Sequence, residues 1–347
     1  MASQTETVPP QSEGKGQLKA PSTLDEAVEQ ATTQVMGRCQ EQNSYPMWTV
    51  NDKISKLVPN PRALPTLWRW PEMRQLMLDS ADLVPEEMQE RRALMMVNPG
   101  FGPVTGPSPY TTDTLYAGLQ MVLPGETAPA HRHIAYAVRF IQESDKGFTS
   151  VAGHKMYLEH GDLVLTPSWQ WHYHGNDGPS PTIWVDCLDI PLQIYGRTNF
   201  LEPYQTKTVP DLVVEDSPFQ FKWNKSQQAL DAQDVDHARY HYLTNGSPFG
   251  KTIAAQAERV KAGKAVRPAR ETTSFIYVVK QGEGRTHIEA PTGTLAVDWK
   301  DKDVFIVPAW SWVTHEASED GDAYLFAITD RSINDNLGLT RIDHAGN

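Results

Sequence analysis

A repeated pattern divides most of this chain into two similar halves. In each half a short apolar run leads into a Pro-x-Trp-x-Trp sequence, over residues 163–171 and again over 304–312. A second apolar run ending in glycine lies upstream of each copy, at 138–147 and 275–284. Short runs of this kind, separated by Gly and Pro, are typical of β-sandwiches and barrels. The repeat therefore predicts two copies of one β-barrel module.

Three histidines of the first copy are candidate ligands for one metal ion. His131 and His133 are two residues apart, so in an extended segment their side chains point to the same face. His172 follows the apolar run and turn at 161–167, which can carry it to a neighbouring strand. Three imidazoles without a carboxylate or thiolate suit Zn, Cu, Fe or Ni and leave positions for other ligands. Any one of them alone is an ordinary histidine, and the spacing is what favours a metal.

The second copy lacks these candidate ligands. Alignment on the shared features places Pro268 and Arg270 opposite the first two histidines and Val313 opposite the third. His315 stands opposite His174 and is the one histidine that both copies keep. We therefore expect the first module alone to bind a catalytic metal.

Composition restricts the partners. The chain of 347 residues has a formal net charge of -12, which disfavours nucleic acid and anionic membranes as partners. No apolar run reaches the roughly 18 residues of a membrane-spanning helix. Cys39 and Cys187 cannot form a disulfide framework. We predict a cytoplasmic protein that acts on small molecules.

Five segments are predicted along the chain. The second begins with a helical pattern from Thr23 to about Met36. The segments are a flexible tail (1–22), a helical and loop segment (23–109), a metal-binding barrel (110–205), a polar linker (206–239) and a second barrel without metal ligands (240–340).

The histidine spacing also resembles that of a known family. Gly125 to His133 and Gly161 to Asn176 match the two characteristic cupin motifs, with Trp169 where cupins usually have Gly. The usual Glu after His-x-His is absent, which points to a three-histidine cupin. Further matches, spanning roughly 23–339, resemble the bicupin gentisate 1,2-dioxygenases and their salicylate and 1-hydroxy-2-naphthoate relatives; they include residues 90–100, 114–120, 137–140, 165–169, 184–191 and 328–332.

This resemblance implies a mainly β bicupin fold, with two double-stranded β-helix (jelly-roll) barrels and an N-terminal helical segment. It implies Fe(II) as cofactor, a small aromatic hydroxycarboxylate and dioxygen as substrates, and a homotetramer. Ring cleavage would fall between the carboxyl- and hydroxyl-bearing carbons, giving maleylpyruvate from gentisate. The alternatives are a preference for salicylate, a 5-substituted salicylate or 1-hydroxy-2-naphthoate, or a non-catalytic ligand-binding bicupin.

Four charged or polar residues are candidates for catalytic roles. Arg139 lies six residues after His133, on the same face if the strand is unbroken, and could hold the substrate carboxylate. His174 would share the face of His172 and act as acid, base or hydrogen-bond donor. Asp186 could orient a ligand imidazole. The catalytic role of Arg92 is suggested only by the family resemblance, because the acidic residues near it also fit a solvated face of a helix over 85–97.

Three alternating residues are predicted to shape the substrate pocket. Tyr116, Gly118 and Gln120 share one face of a strand. Tyr116 lies where the family commonly has Trp, and Gly118 where gentisate enzymes often have Ala. We expect Gly118 to leave a space about one methyl larger than Ala would, which broadens the substrate range. The preferred substrate is not fixed by the sequence.

Overall fold

The computed structural model describes residues 26–84, 92–102 and 109–344. The predicted tail at 1–22 and the predicted helix start at Thr23 lie outside these residues. Within them, no helix combines the length and apolarity needed to cross a membrane. The described α-helices are α1 (Glu26–Glu41), α2 (Asn51–Ile54), α3 (Trp70–Asp79), α4 (Ile190–Tyr195), α5 (Trp223–Asp231) and α6 (Arg331–Asn336). Short 3-10 helices lie at Met47–Thr49, Ala81–Leu83 and Pro99–Phe101.

Strands form most of the ordered structure. Those before α5 are β1 (Thr66–Trp68), β2 (Ala93–Met95), β3 (Tyr116–Val122), β4 (Thr127–His133), β5 (Ala137–Glu143), β6 (Gly147–Val151), β7 (His154–Tyr157), β8 (Leu163–Thr166), β9 (His172–Asn176), β10 (Thr182–Leu188), β11 (Leu201–Pro203), β12 (Leu212–Val213) and β13 (Gln220–Phe221). Those after it are β14 (His237–His241), β15 (Leu243–Thr244), β16 (Ser247–Pro248), β17 (Ala254–Val260), β18 (Ala265–Val266), β19 (Arg270–Glu271), β20 (Phe275–Gln281), β21 (Gly284–Ala290), β22 (Gly293–Trp299), β23 (Val304–Val307), β24 (Trp312–Ala317), β25 (Ala323–Thr329) and β26 (Ile342–Asp343).

The first barrel consists of two six-stranded sheets. One has the order β13-β8-β5-β10-β3-β2 and the other the order β11-β4-β9-β6-β7-β12. In the second barrel, the sheet β1-β23-β20-β25-β17-β14 repeats the arrangement of the first of these, and a four-stranded sheet has the order β18-β24-β21-β22. The predicted mainly β, two-barrel architecture is confirmed.

Segments outside the two predicted barrels supply edge strands to both. From the N-terminal segment, β1 pairs with β23 of the second barrel and β2 pairs with β3 of the first. From the predicted linker, β12 and β13 pair with strands of the first barrel. Strand β14, which crosses the predicted boundary between residues 239 and 240, pairs with β17 of the second. We retain the five-segment division as a proposal, since strand pairing alone does not define a folding unit.

The two barrels share a hydrophobic core where their six-stranded sheets meet. The rings of Phe140 from the first barrel and Phe326 from the second stack with centroids 4.2 Å apart. Trp223 of α5 packs edge-on against Phe140 and Tyr324. Phe140 and Phe326 are both fully buried, so the apolar surface they remove from water stabilises the pair of barrels as one unit.

One tryptophan in each module has a backbone conformation that favours glycine. Trp169 has φ 65° and Trp310 has φ 62°, both in the left-handed region. Their backbone N–H groups donate to the carbonyls of His133 (2.8 Å) and Glu271 (2.7 Å). This hydrogen bond from the tryptophan N–H stabilises the turn, which explains how a bulky residue can replace the usual Gly of the motif. In the first module the bond connects the turn to His133, one of the candidate ligands.

The predicted alignment of the two modules is wrong by one residue at the first two ligand positions. The shared bond to the tryptophan N–H makes Glu271 the counterpart of His133, so Ala269 takes the place of His131. Arg270 instead corresponds to Arg132, because both stack on the tryptophans of their own module.

The physical reason is a difference in hairpin length. Three residues, 144–146, connect β5 to β6, whereas two, 282–283, connect β20 to β21. Alignment on the glycines after these loops therefore shifts every upstream position by one. In a strand such a shift exchanges the two faces.

Candidate active site

Strands β4 and β9 bring the three candidate ligands together. They pair antiparallel in the first barrel, with His131 directly opposite His172. His133 follows two residues later on β4 and projects to the same side. The ring centroids are 4.4 Å apart for His131 and His172, 4.7 Å for His133 and His172, and 5.6 Å for His131 and His133. One ligand atom from each ring lies within 4.8 Å of the others.

Backbone carbonyls orient all three rings in the same way. Nδ1 of His131 contacts the carbonyl of Pro129 at 3.0 Å, Nδ1 of His133 contacts that of Ala135 at 2.7 Å, and Nδ1 of His172 contacts that of Gln170 at 2.9 Å. Because a carbonyl only accepts, each Nδ1 carries the proton and each Nε2 keeps its lone pair. This is the tautomer that a metal ligand needs.

The electrostatic environment also suits a metal. Burial, with a further contribution from His131, lowers the pKa of His133 to about 4 and that of His172 well below its usual value. Both imidazoles are therefore neutral near pH 7. The Nε2 atom of His172 is buried without a hydrogen-bond partner. A buried acceptor costs free energy unless something satisfies it, and a cation at this point would do so.

Arg139 and Asp186 form a buried ion pair beside the histidines. The Nε atom of Arg139 lies 3.3 Å from Oδ1 of Asp186, and Arg139 Nη1 donates to the hydroxyl of Thr166. The arginine side chain is 2% exposed. Burial raises the pKa of Asp186, and the arginine charge counteracts this.

Arg139 does not lie on the same strand as His133, as an unbroken strand would require, because β4 ends at His133 and β5 begins at Ala137. Arg139 thus lies in the other sheet of the barrel. It is nevertheless close enough for its charge to lower the pKa of His133, His172 and His174.

His174 lies on β9 with His172, and its ring is held by a threonine. Its Nδ1 is 2.9 Å from Oγ1 of Thr149 on β6, directly opposite it in the strand pair. The ring also packs against Trp184, with centroids 5.1 Å apart. Burial, followed by the charge of Arg139, lowers its pKa well below the usual value. His174 is therefore a fixed, neutral imidazole beside the three candidate ligands.

Thr149 and Thr166 were not identified from the sequence. The repeat could have indicated Thr149, because Thr286 is its counterpart in the second module. There the hydroxyl of Thr286 contacts Nδ1 of His315 at the same distance of 2.9 Å. Each histidine is opposite its threonine in the equivalent strand pair. No repeated threonine–histidine pair of this kind points to Thr166.

The space beside Gly118 is filled, which corrects the expected vacancy. A Cβ atom on Gly118 would lie 2.5 Å from the hydroxyl oxygen of Tyr116 and 2.8 Å from the carbonyl oxygen of Leu94. Asp186 is opposite Gly118 across the β3–β10 pair and raises the pKa of the Tyr116 hydroxyl, after the larger effect of burial. Gln120 is buried on the same strand. Tyr116 therefore covers Gly118 instead of leaving room there.

Arg92 lies in a different cluster. It is 2% exposed, and its guanidinium makes two contacts with the Glu126 carboxylate, at 2.5 and 3.0 Å, and one with the carbonyl of Val84 at 3.1 Å. The alternative that Arg92 lies on a solvated helical face is wrong, because Arg92 is buried and the residues that follow it, 93–95, form strand β2. Residues 85–91 lie outside the described part of the chain. Glu126 was not predicted, since 34 residues separate it from Arg92 and no sequence pattern links them.

The packing around Gly118 gives a stability prediction. Gly118→Ala should lower the free energy of unfolding by about 1 to 3 kcal/mol, because the new methyl group overlaps the Leu94 carbonyl and the Tyr116 hydroxyl. Urea denaturation measures the change. Tyr116→Phe in the same variant should recover only part of it, since the Leu94 carbonyl remains. A Gly118→Ala protein as stable as the parent would contradict the overlap.

Comparisons with known proteins identify similar chains. The cupin domain family matches residues 118–190. Gentisate 1,2 dioxygenase 1 of Aquipseudomonas alcaligenes is 33% identical over 346 residues, covering 91% of this chain and 97% of the relative. The 5-aminosalicylate 1,2-dioxygenase of a Comamonas species is 34% identical, covering 86% of each chain. Salicylate 1,2-dioxygenase of Pseudoaminobacter salicylatoxidans, solved with gentisate, has a TM-score of 0.82 and 28% identity over 94% of this chain and 97% of that chain.

Proposed function

We propose that this chain, which belongs to the gentisate 1,2-dioxygenase family, opens the ring of gentisate or a close hydroxybenzoate between the carboxyl- and hydroxyl-bearing carbons. The chain is a ring-cleaving dioxygenase of the gentisate and salicylate type. The observation that supports this proposal most is that three histidines each bring one ligand nitrogen within 4.8 Å of the others, near a buried arginine whose charge lowers the pKa of His133 and His172. With gentisate the product would be maleylpyruvate.

Fe(II) is the metal that we propose for His131, His133 and His172. Three neutral imidazoles leave the full positive charge of the ion in place, which favours an anionic substrate that binds through two oxygens. Bound Fe(II) would supply the redox chemistry with dioxygen. The protein supplies the ligands, the orientation of the substrate and the exclusion of water.

Arg139 is proposed to bind the substrate carboxylate. Its Nη1 donates to Thr166, whereas its Nε, although 3.3 Å from Asp186, makes no hydrogen bond, so the guanidinium keeps donor capacity for a further acceptor. Asp186 is proposed to hold the guanidinium in this orientation. This replaces its earlier role as a partner of a ligand imidazole, because backbone carbonyls orient all three rings.

His174 is proposed to form a hydrogen bond to the bound substrate. Its low pKa makes proton uptake at neutral pH unfavourable, so a neutral hydrogen-bonding role fits it better than general base catalysis. Thr149 fixes the ring through Nδ1, which leaves Nε2 for the substrate. Tyr116 and Gln120 are proposed as a wall of the pocket, with Gly118 covered by the Tyr116 hydroxyl. Arg92 is proposed only to support the edge strand β2 through Glu126.

The paired threonines allow a matched test of His174. Thr149→Val removes one hydrogen bond and should cost about 1 kcal/mol of stability. It should also lower turnover, because the imidazole loses its orientation. Thr286→Val removes the matching bond to His315 in the second module and also the bond that Trp299 Nε1 donates to Thr286, so it should cost more stability than Thr149→Val without lowering turnover. Steady-state kinetics with gentisate and thermal denaturation of both variants give the result. Equal loss of turnover in both would show that the Thr149 effect is only structural.

Oxygen uptake by the Fe(II)-loaded protein tests the substrate proposal. Gentisate, salicylate, a 5-substituted salicylate and 1-hydroxy-2-naphthoate are compared at the same concentration. We expect the highest kcat/KM with gentisate or a close hydroxybenzoate. A highest value with hydroxynaphthoate would assign the chain to the other branch, and no uptake with any of the four would refute the proposal.

A homotetramer and a cytoplasmic location also stay proposals. The first rests on the family resemblance, and sedimentation equilibrium of the purified protein measures it. The second rests on the cysteine content, since Cys39 and Cys187 are both free thiols.

A further inference from the structure

The second barrel contains a cavity of about 480 Å³ at the position that the metal centre has in the first. All three counterparts of the metal ligands line it: Ala269 for His131, Glu271 for His133 and Val313 for His172. The assignment of Val313 follows from strand register, because it is opposite Ile288 as His172 is opposite Val151. A cavity of this size suits a small organic molecule.

Strand register shows which active-site groups the cavity has lost. Arg139 is opposite Val164 and Asp186 in the first barrel, and Tyr277 is opposite Phe305 and Ala327 in the second. Tyr277 and Ala327 thus replace the buried ion pair. By the same reasoning, Ala254 replaces Tyr116 and Gln256 replaces Gly118.

The charged residues at the cavity already have partners of opposite charge. The guanidinium of Arg331 lies 2.6 Å from Glu271 and 2.8 Å from Asp335. Arg239 lies 3.9 Å from the buried carboxylate of Glu258. Two histidines, His241 and His344, also line the cavity. Among the other described lining residues the two arginines and two carboxylates balance, so these four groups offer no net charge to an ionic ligand. This contrasts with the first barrel, where a metal ion and Arg139 favour an anion.

The walls favour a flat ring with one hydrogen-bond donor. The rings of Phe275 and Tyr277 lie nearly parallel, at 14° with centroids 5.7 Å apart, and both line the cavity. The side-chain nitrogen of Gln256 donates to Glu258 at 2.7 Å, and Tyr277 donates to the same carboxylate at 2.9 Å. The Gln256 amide nitrogen donates one N–H to Glu258, and the amide oxygen is the acceptor that Gln256 can offer to a ligand hydroxyl.

We propose that the second barrel binds a small uncharged aromatic alcohol, of the phenol class, without a metal. The ring occupies the space bounded by Phe275, Tyr277 and Val313, and the hydroxyl donates to Gln256. This site goes beyond the proposed function, and its test measures binding directly, so it does not depend on turnover in the first barrel.

Isothermal titration calorimetry with phenol tests the proposal. The iron-loaded protein is used without dioxygen and with saturating gentisate, which covers the first site. Phenol should bind once per chain with a dissociation constant of about 1 mM or lower, as its size allows. Benzoate should bind at least about tenfold more weakly, because a desolvated carboxylate would find no uncompensated cation.

Variants locate the binding. Ala254→Phe fills the cavity and should abolish phenol binding, whereas Ala296→Phe, at an exposed position on β22 of the same barrel, should not. Gln256→Leu should weaken binding about fivefold through loss of one hydrogen bond. Val313→Phe replaces the first variant if thermal denaturation shows that Ala254→Phe is unfolded. The proposal is overturned if phenol does not bind, if benzoate binds more tightly, or if phenol binding survives in the folded cavity-filling variant.

Discussion

Replacement of His172 by alanine is expected to remove the metal and with it all measurable ring cleavage. The side chain supplies one of the three proposed ligands in the described part of the chain, and the contact of its Nδ1 with the Gln170 carbonyl fixes the orientation of its ring. Loss of a ligand should weaken metal binding by at least about hundredfold, more than loss of a residue that only orients a ligand. Elemental analysis should find one iron per chain in the parent and none in His172→Ala.

Val313→Ala provides the matched control, because Val313 has the same strand register in the second barrel. Iron content and turnover should stay at the parent values in that variant. An iron content near two per parent chain would contradict the assignment of the metal to the first barrel alone. So would retention of iron in His172→Ala.

Replacement of Arg139 by leucine is expected to have two separate effects. The proposed charged hydrogen bonds to the substrate carboxylate should be lost, which at about 1.5 to 3 kcal/mol is roughly a tenfold to hundredfold loss in kcat/KM. In addition, Asp186 is left buried without its partner, which should cost about 3 to 5 kcal/mol of stability. Iron content of the folded protein should be unchanged, since Arg139 is not a ligand.

The double variant Arg139→Leu with Asp186→Ala separates the two effects. The second barrel folds with Tyr277 and Ala327 at these positions, so an uncharged pair is compatible with the barrel. Most of the lost stability should return, because no buried charge remains. The loss of kcat/KM should persist. Recovery of both stability and turnover in the double variant would show that Arg139 does not bind substrate.

Residue spacing was sufficient to predict that His131, His133 and His172 lie close together. A His-x-His pair on one strand and a histidine after a Pro-containing turn have few geometric solutions, and β4 and β9 realise one of them. The two-barrel architecture followed from the Pro-x-Trp-x-Trp repeat. The stacking of Arg132 and Arg270 on these tryptophans shows that the repeat preserves local packing as well as strand order.

Features that depend on side-chain volume or on distant contacts could not be predicted. Gly118 suggested an empty space in the pocket, yet the hydroxyl of Tyr116 fills it. The alternation of side chains along a strand does not show which neighbouring side chain occupies the space beside a glycine. Arg92 resembled a solvated residue because Glu126 reaches it only through the fold. The alignment of the two modules was wrong by one residue because the loop at 282–283 is one residue shorter than the loop at 144–146. This difference can be recognised only once the strand pairs are known.

Oxygen consumption with limiting gentisate tests the central assignment most directly. The iron-loaded parent protein is given a known amount of gentisate in an oxygen electrode, and the loss of the aromatic ring is followed by its absorbance. We expect one dioxygen to be consumed for each ring opened, with maleylpyruvate as product. No ring opening, or dioxygen uptake out of proportion to ring loss, would contradict it.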